Sequence, residues 1–176
     1  MATKSDWRRG YAIQARAALL TREVLSRQPV ASLVPECHRL LFLQMACEKL
    51  VKAHLQQFNP VPRDTRSSHA VIAKHLPTII NEHYRRSTGK SMPRHLMLAI
   101  RGIAREIELL APAVDDGGRR PENCEYPWLD HAKGCVIAPV DHPFSRLNLG
   151  GNPAARLVLK LLPRAIDELA SDRTPS

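Results

Sequence analysis

The sequence predicts an all-α bundle of four to five helices, with a small irregular or β-hairpin insertion before the last helix. Three observations predict it. Apolar residues recur at three- and four-residue spacing through most of the chain, the period of helices that bury one face. Aromatic residues are only 5% of the sequence, so Leu, Ile, Val and Ala must fill the core, as they do in helix bundles. Residues 111–151 break the pattern, with prolines and glycines spaced too closely for a long helix. A length of 176 residues suits a single domain with a core of its own.

The first helix is expected from about Asp6 to Gln28, with Asp6 as its N-cap. Trp7, Tyr11, Ala15, Ala18 and Leu25 form its apolar stripe, Arg8, Arg9, Arg16 and Arg22 lie mostly off it, and Pro29 closes it. The second is expected from about Leu33 to Gln57, capped by Ser32, with Pro35 in the first turn where a missing N–H costs nothing. Its face of Leu40, Leu43, Ala46, Cys47, Leu50, Val51 and Ala53 is the strongest helical signal in the chain. Glu48 and Lys52 pair at i, i+4 on the expected outer side. Residues 58–68 read as a loop.

A third helix is expected from His69 to Arg86, burying Ile72, His75, Leu76, Ile79, Ile80 and His83, with Pro77 kinking or splitting it. Residues 85–91 read as a polar turn. Ser91 then caps a fourth helix from Met92 to Leu110, striped by Leu96, Ala99, Ile100, Ile103, Ile107 and Leu110. Within the insertion, runs near Glu125–Leu129 and Cys135–Val140 flank Gly134 and predict a hairpin or extended flap. The last helix is expected from Pro153 to Ala170, with Asn152 as N-cap, Pro153 at its first position and a bend at Pro163.

Net charge is +9 with an isoelectric point near 9.9, a balance that favours phosphate-bearing partners; an Arg-rich solvated surface has the same signature. Arg66, Arg85, Arg86, Lys90, Arg94, Arg101 and Arg105 are the candidate phosphate contacts. No apolar run of 18 residues is present, so no membrane span is expected. The opening residues have no apolar run behind them, which predicts no signal peptide. Four cysteines without a CxxC pair fit a reducing cytoplasm.

The segment Leu43-Gln-Met-Ala-Cys-Glu-Lys-Leu-Val-Lys-Ala-His-Leu55 resembles the second-helix signature of HEPN domains, in which Gln, a small residue, Glu-Lys and Lys-Ala recur. His69, Ile72 and His75-Leu76 are similar to the His-bearing start of that family's next helix, and Trp7, Tyr11 and Ala15 fit its opening helix. The resemblance covers about residues 6–86 and, more loosely, the last helix. It implies a helical bundle, often a homodimer, that binds RNA or nucleotide within prokaryotic toxin–antitoxin or defence systems, sometimes beside a nucleotidyltransferase. Active members of the family are metal-independent RNases that use an Arg and a His a few residues later.

Arg63 and His69 have that spacing, but they precede the third helix, whereas the family places its pair nearer the last. In such a pair the His moves the 2′-hydroxyl proton and the Arg steadies phosphorane charge. The plain alternative is a solvated Arg63 and a His69 packed at a helix start. Cys124, His131, Cys135 and His142 are a candidate zinc set, although their spacing is unlike common zinc motifs. Gly89-Lys90-Ser91 imitates the end of a phosphate loop, yet its first glycine position is Tyr84 and no strand is expected before it. No cofactor fingerprint is present. Three readings therefore stand: a helical module binding RNA or nucleotide, an RNase using Arg63 and His69, and a non-catalytic structural interaction module.

Overall fold

A computed structural model describes residues 3–58, 69–114 and 121–171, which carry six helices and one two-stranded hairpin. In order they are α1 (Lys4–Leu25), α2 (Val30–Leu33), α3 (Glu36–Leu55), α4 (Ile72–Thr88), α5 (Arg94–Glu108), β1 (Trp128–Asp130), β2 (Cys135–Ile137), a 3-10 turn (Pro139–Asp141) and α6 (Pro153–Ala170). The architecture is the expected all-α bundle with a hairpin insertion.

Helix starts differ from the expectation where caps and prolines compete. α1 begins at Lys4 because Thr3 is the N-cap: its hydroxyl accepts the Asp6 N–H at 3.1 Å, and the Asp6 carboxylate accepts the Thr3 N–H at 2.7 Å. Asp6 is thus the return arm of a capping box and not the cap itself. Beyond Pro29 the chain makes the separate turn α2, which absorbs Ser32. Pro35 then forces Val34 into extended backbone and becomes the N-cap of α3. Pro93 likewise replaces Ser91 as the start signal of α5. α4 starts at Ile72, not His69, and continues through the expected polar turn to Gly89, whose φ of 68° is open to glycine. Pro77 and Pro163 sit inside unbroken helices, and neither splits its helix.

α3 is the central element. It packs against α1, α4, α5, α6 and the 3-10 turn. The expected face of Leu40, Leu43, Ala46, Cys47, Leu50, Val51 and Ala53 is wholly buried, and Gln44, Glu48 and Lys52 on the other side are buried too. The outer placement expected for Glu48–Lys52 is therefore corrected. α6 closes the bundle against α1, α4, α5 and α3 through Val158, Leu161, Leu162, Ala165, Ile166 and Leu169. Its predicted limits and its Asn152 cap, which accepts the Ala154 and Ala155 N–H groups, are those observed. Five expected apolar positions are less covered: Trp7 and Ala99 are exposed, and Tyr11, Leu25 and Leu96 are half-buried. His75 is likewise only half-buried.

The insertion is tied to the bundle by backbone and aromatic contacts. The Cys124 N–H donates to the Leu110 carbonyl at 3.0 Å, joining the strand-bearing arm to the end of α5. Gly134, at φ 64°, turns the hairpin and pairs Leu129 with Val136. Trp128 and Phe144 are buried, with the His142 ring held edge-on between them at centroid distances of 5.2 and 4.8 Å. Tyr126, on the same arm, is 60% exposed. No helix among the described residues is long and apolar enough to cross a membrane.

Candidate functional site

Gln44, Glu48 and Lys52 follow one another at four-residue steps along α3, so they share a stripe. Glu48 is the hub of a polar cluster on it. Its Oε1 receives the Lys52 and Lys49 ammonium groups, each at 2.9 Å, and its Oε2 receives Gln44 Nε2 at 3.1 Å and lies 3.1 Å from His69 Nδ1. Burial pushes the Glu48 carboxyl up, but the hydrogen bonds from Lys52, Lys49 and His69 outweigh it and hold the group at about 2, from an ordinary 4.5. Only 3% of the Lys52 side chain is exposed, whereas 46% of the His69 side chain is. The cluster thus runs from a sealed ion pair to an open imidazole.

That imidazole lines a groove of about 630 Å³ between α3, the start of α4, the end of α5 and the arm before β1. Lys49 supplies a cation, Met45 and Leu41 an apolar floor, and Tyr126 an exposed ring, with Glu125 beside it. The arm is positioned by Asn123, whose side-chain oxygen accepts the Glu125 and Tyr126 N–H groups at 2.9 and 2.7 Å. The start of α4 is positioned by α5. Val71 provides no side-chain cap, and the buried Glu108 carboxylate instead accepts the Ala73 N–H at 2.9 Å while Arg105 donates to its other oxygen at 2.9 Å. Glu108→Ala is expected to lower stability by about 1 kcal/mol, because the donors it leaves, the Ala73 N–H and Arg105, are only partly buried. It should also shift the His69 ring resonances in NMR spectra. Unchanged His69 resonances would show that Glu108 does not position this site.

Of the expected catalytic pair, His69 is in the groove and Arg63 lies outside the described residues, as does Arg66. The other candidate phosphate contacts are not gathered with His69. Arg85, Lys90 and Arg94 lie exposed where α4 ends and α5 begins, one α5 length (about 20 Å at 1.5 Å per residue) from the groove. Arg101 is exposed midway along α5, Arg86 pairs with Glu168, and Arg105 pairs with Glu108.

The candidate zinc set is not brought together. Cys124 is buried in the core with burial pushing its thiol up, Cys135 is exposed on β2, and His142 is enclosed by aromatic rings. Among the described residues no three His, Cys, Asp or Glu side chains are placed to hold a metal ion. Gly89 is a helix C-cap, so Gly89-Lys90-Ser91 follows a helix and is no phosphate loop. His83 is enclosed near Glu168, at 3.8 Å, and burial holds its imidazole below the usual range.

Sequence reasoning missed Gln44, Lys49 and Tyr126 as groove residues and Asn123 as the residue that positions the arm. Gln44 was legible only as part of the Gln-x-x-x-Glu-x-x-x-Lys spacing on α3. Tyr126 and Asn123 carry no spacing that links them to it. No family model matches the chain, and no curated protein or solved structure matches it either.

Proposed function

We propose that this chain binds RNA, or a nucleotide, in the groove between α3, the start of α4 and the arm before β1, as a HEPN-like module of a prokaryotic toxin–antitoxin or defence system. The observation that carries this reading is that His69, Lys49 and the exposed Tyr126 line one open groove. Two nitrogen groups suit a phosphate, and an aromatic face suits a base. The Glu125 carboxylate is an acceptor for an exocyclic amino group. Basic side chains at both ends of the α4–α5 pair favour a polymer over a mononucleotide. A homodimer and a nucleotidyltransferase-type partner belong to this reading through the family resemblance alone.

A second reading is favoured by one contact. With Nδ1 of His69 on the Glu48 carboxylate, the neutral ring carries its proton on Nδ1, and Nε2 is the basic nitrogen. A carboxylate-oriented imidazole of this kind is equipped to take a 2′-hydroxyl proton. In that reading Arg63 steadies the phosphate and two such pairs meet in a dimer cleft.

One experiment treats both. An RNA oligonucleotide is titrated with the full chain in EDTA at two salt concentrations, with affinity and cleavage both read. Affinity that falls with salt, and that Lys49→Ala and His69→Ala each weaken about tenfold, is the expected result. Cleavage abolished by both His69→Ala and Arg63→Ala, with folding intact, establishes the RNase. Absent or salt-insensitive affinity overturns both and leaves a structural interaction module.

A further inference from the structure

α1 buries one face against α3 and α6, yet a second apolar line runs along its outer side. Ile13, Ala17, Leu20 and Val24 are all exposed, with Ile13, Leu20 and Val24 at 51, 53 and 52%. Their spacing of four, three and four residues is the seam of a coiled coil, where apolar positions recur every 3.5 residues. We infer that this seam pairs with the same seam of a second copy, antiparallel, across a two-fold axis. None of these four residues lines the groove, so what is added to the homodimer of the reading above is its interface, a face separate from the RNA groove and from the dimer cleft of the RNase reading.

Charge complementarity selects both the partner and its direction. An antiparallel pairing that sets Ile13 on Val24 of the second copy, and Ala17 on Leu20, flanks the seam with Arg16 against Glu23. The two-fold axis makes that ion pair twice. A parallel pairing sets Arg16 against Thr21 and Glu23 against Gln28, with no complementary charge. An antiparallel register slipped by one heptad sets Val24 on Asp6 and Arg16 on its own copy at the axis. Only the first arrangement joins apolar to apolar and opposite to opposite charge. Glu23 has no side-chain ion pair among the described residues, while Arg16 contacts Asp167 and retains donors for a second carboxylate. Ala17 at the centre lets the helices approach closely. The seam spans about 17 Å at 1.5 Å per residue, less than a stable interface of about 800 Å² per partner needs, so the dimer is reversible and concentration-dependent.

Sedimentation velocity of the full chain over a wide concentration range tests this. The wild type is expected to pass from monomer to dimer. Leu20→Asp, at an exposed position, should weaken the dimer at least tenfold with helical content and thermal unfolding unchanged. Arg16→Glu alone and Glu23→Arg alone should each self-associate weakly. Mixing those two variants should restore the dimer, because both ion pairs re-form, one with its original sign and one reversed. A wild type that is monomeric throughout, or a dimer indifferent to Leu20→Asp, overturns the seam. Failure of the mixture to recover overturns the antiparallel register.

Discussion

Glu48→Ala is expected to lower the unfolding free energy at pH 7 by about 3–5 kcal/mol, the range for breaking a buried ion pair from one side. The cost comes from what remains. Lys52 lies almost wholly buried with its ammonium directed at the missing carboxylate, and Gln44 loses a hydrogen bond on the same stripe. Lys49 and His69 are more exposed and re-solvate more readily. Glu48→Ala combined with Lys52→Met should recover much of the loss, because a buried pair replaced by apolar side chains is often near neutral.

The pH dependence of that difference is specific. The Glu48 carboxyl is held at about 2 in the folded chain, against 4.5 ordinarily. Its contribution is therefore fully present above about pH 4.5 and is lost as pH falls toward 2, amounting to about 3 kcal/mol for such a shift. His54, His75 and His83 are also held below their ordinary 6.5 by burial, so the wild type begins to lose stability as pH drops through 6.5. That earlier loss is common to wild type and variant and cancels in their difference. Urea unfolding of both proteins between pH 7 and pH 2.5 reads the difference directly. A gap that stays constant across the acid limb, or one below about 1 kcal/mol at pH 7, would sink this account of the cluster.

Leu162→Ala should cost about 3 kcal/mol, within the 2–5 kcal/mol range for a buried leucine truncated to alanine. Leu162 is fully buried on α6, the helix that touches α1, α3, α4 and α5. Pro163 follows it and restricts how far the backbone can move to fill the space. A cavity at the meeting point of several helices collapses poorly, which places the cost in the range and not at its floor. For a chain of this size each kcal/mol shifts Tm by about 2–4 °C, so a drop of roughly 6–12 °C is expected by calorimetry. A drop of less than about 3 °C would mean that α6 re-seats freely and that the core is less tightly packed than its burial indicates.

Much of the bundle was legible before any coordinate. The faces of α3, α4, α5 and α6 follow from apolar spacing, because a helix periodicity of 3.6 residues constrains which side chains can be buried together. α6 was read with its correct limits because Asn152 and Pro153 act within a single turn, so nothing distant has to agree. The hairpin was legible for the same reason: Gly134 sits where a φ of 64° is needed. Local signals failed where two competed, as at Thr3 against Asp6 or Ser32 against Pro35.

The sequence by itself therefore determined the apolar faces of the helices, the Asn152 cap and the hairpin, which depend on neighbours within about one turn. It also placed His69 close to a helix start, three residues before α4 begins, and Glu48 four residues before Lys52. Only the tertiary structure decided that Glu48 and Lys52 are inside. A helix in the middle of a bundle is covered on both sides, and the second cover is supplied by the start of α4, the end of α5 and the arm at 121–126, which lie 21 or more residues away in the chain. The same burial turns a surface ion pair of little consequence into the hub that holds His69 at the groove. Sequence spacing carries no information about that cover, because burial is a property of what packs on a residue and not of the residue's own helix.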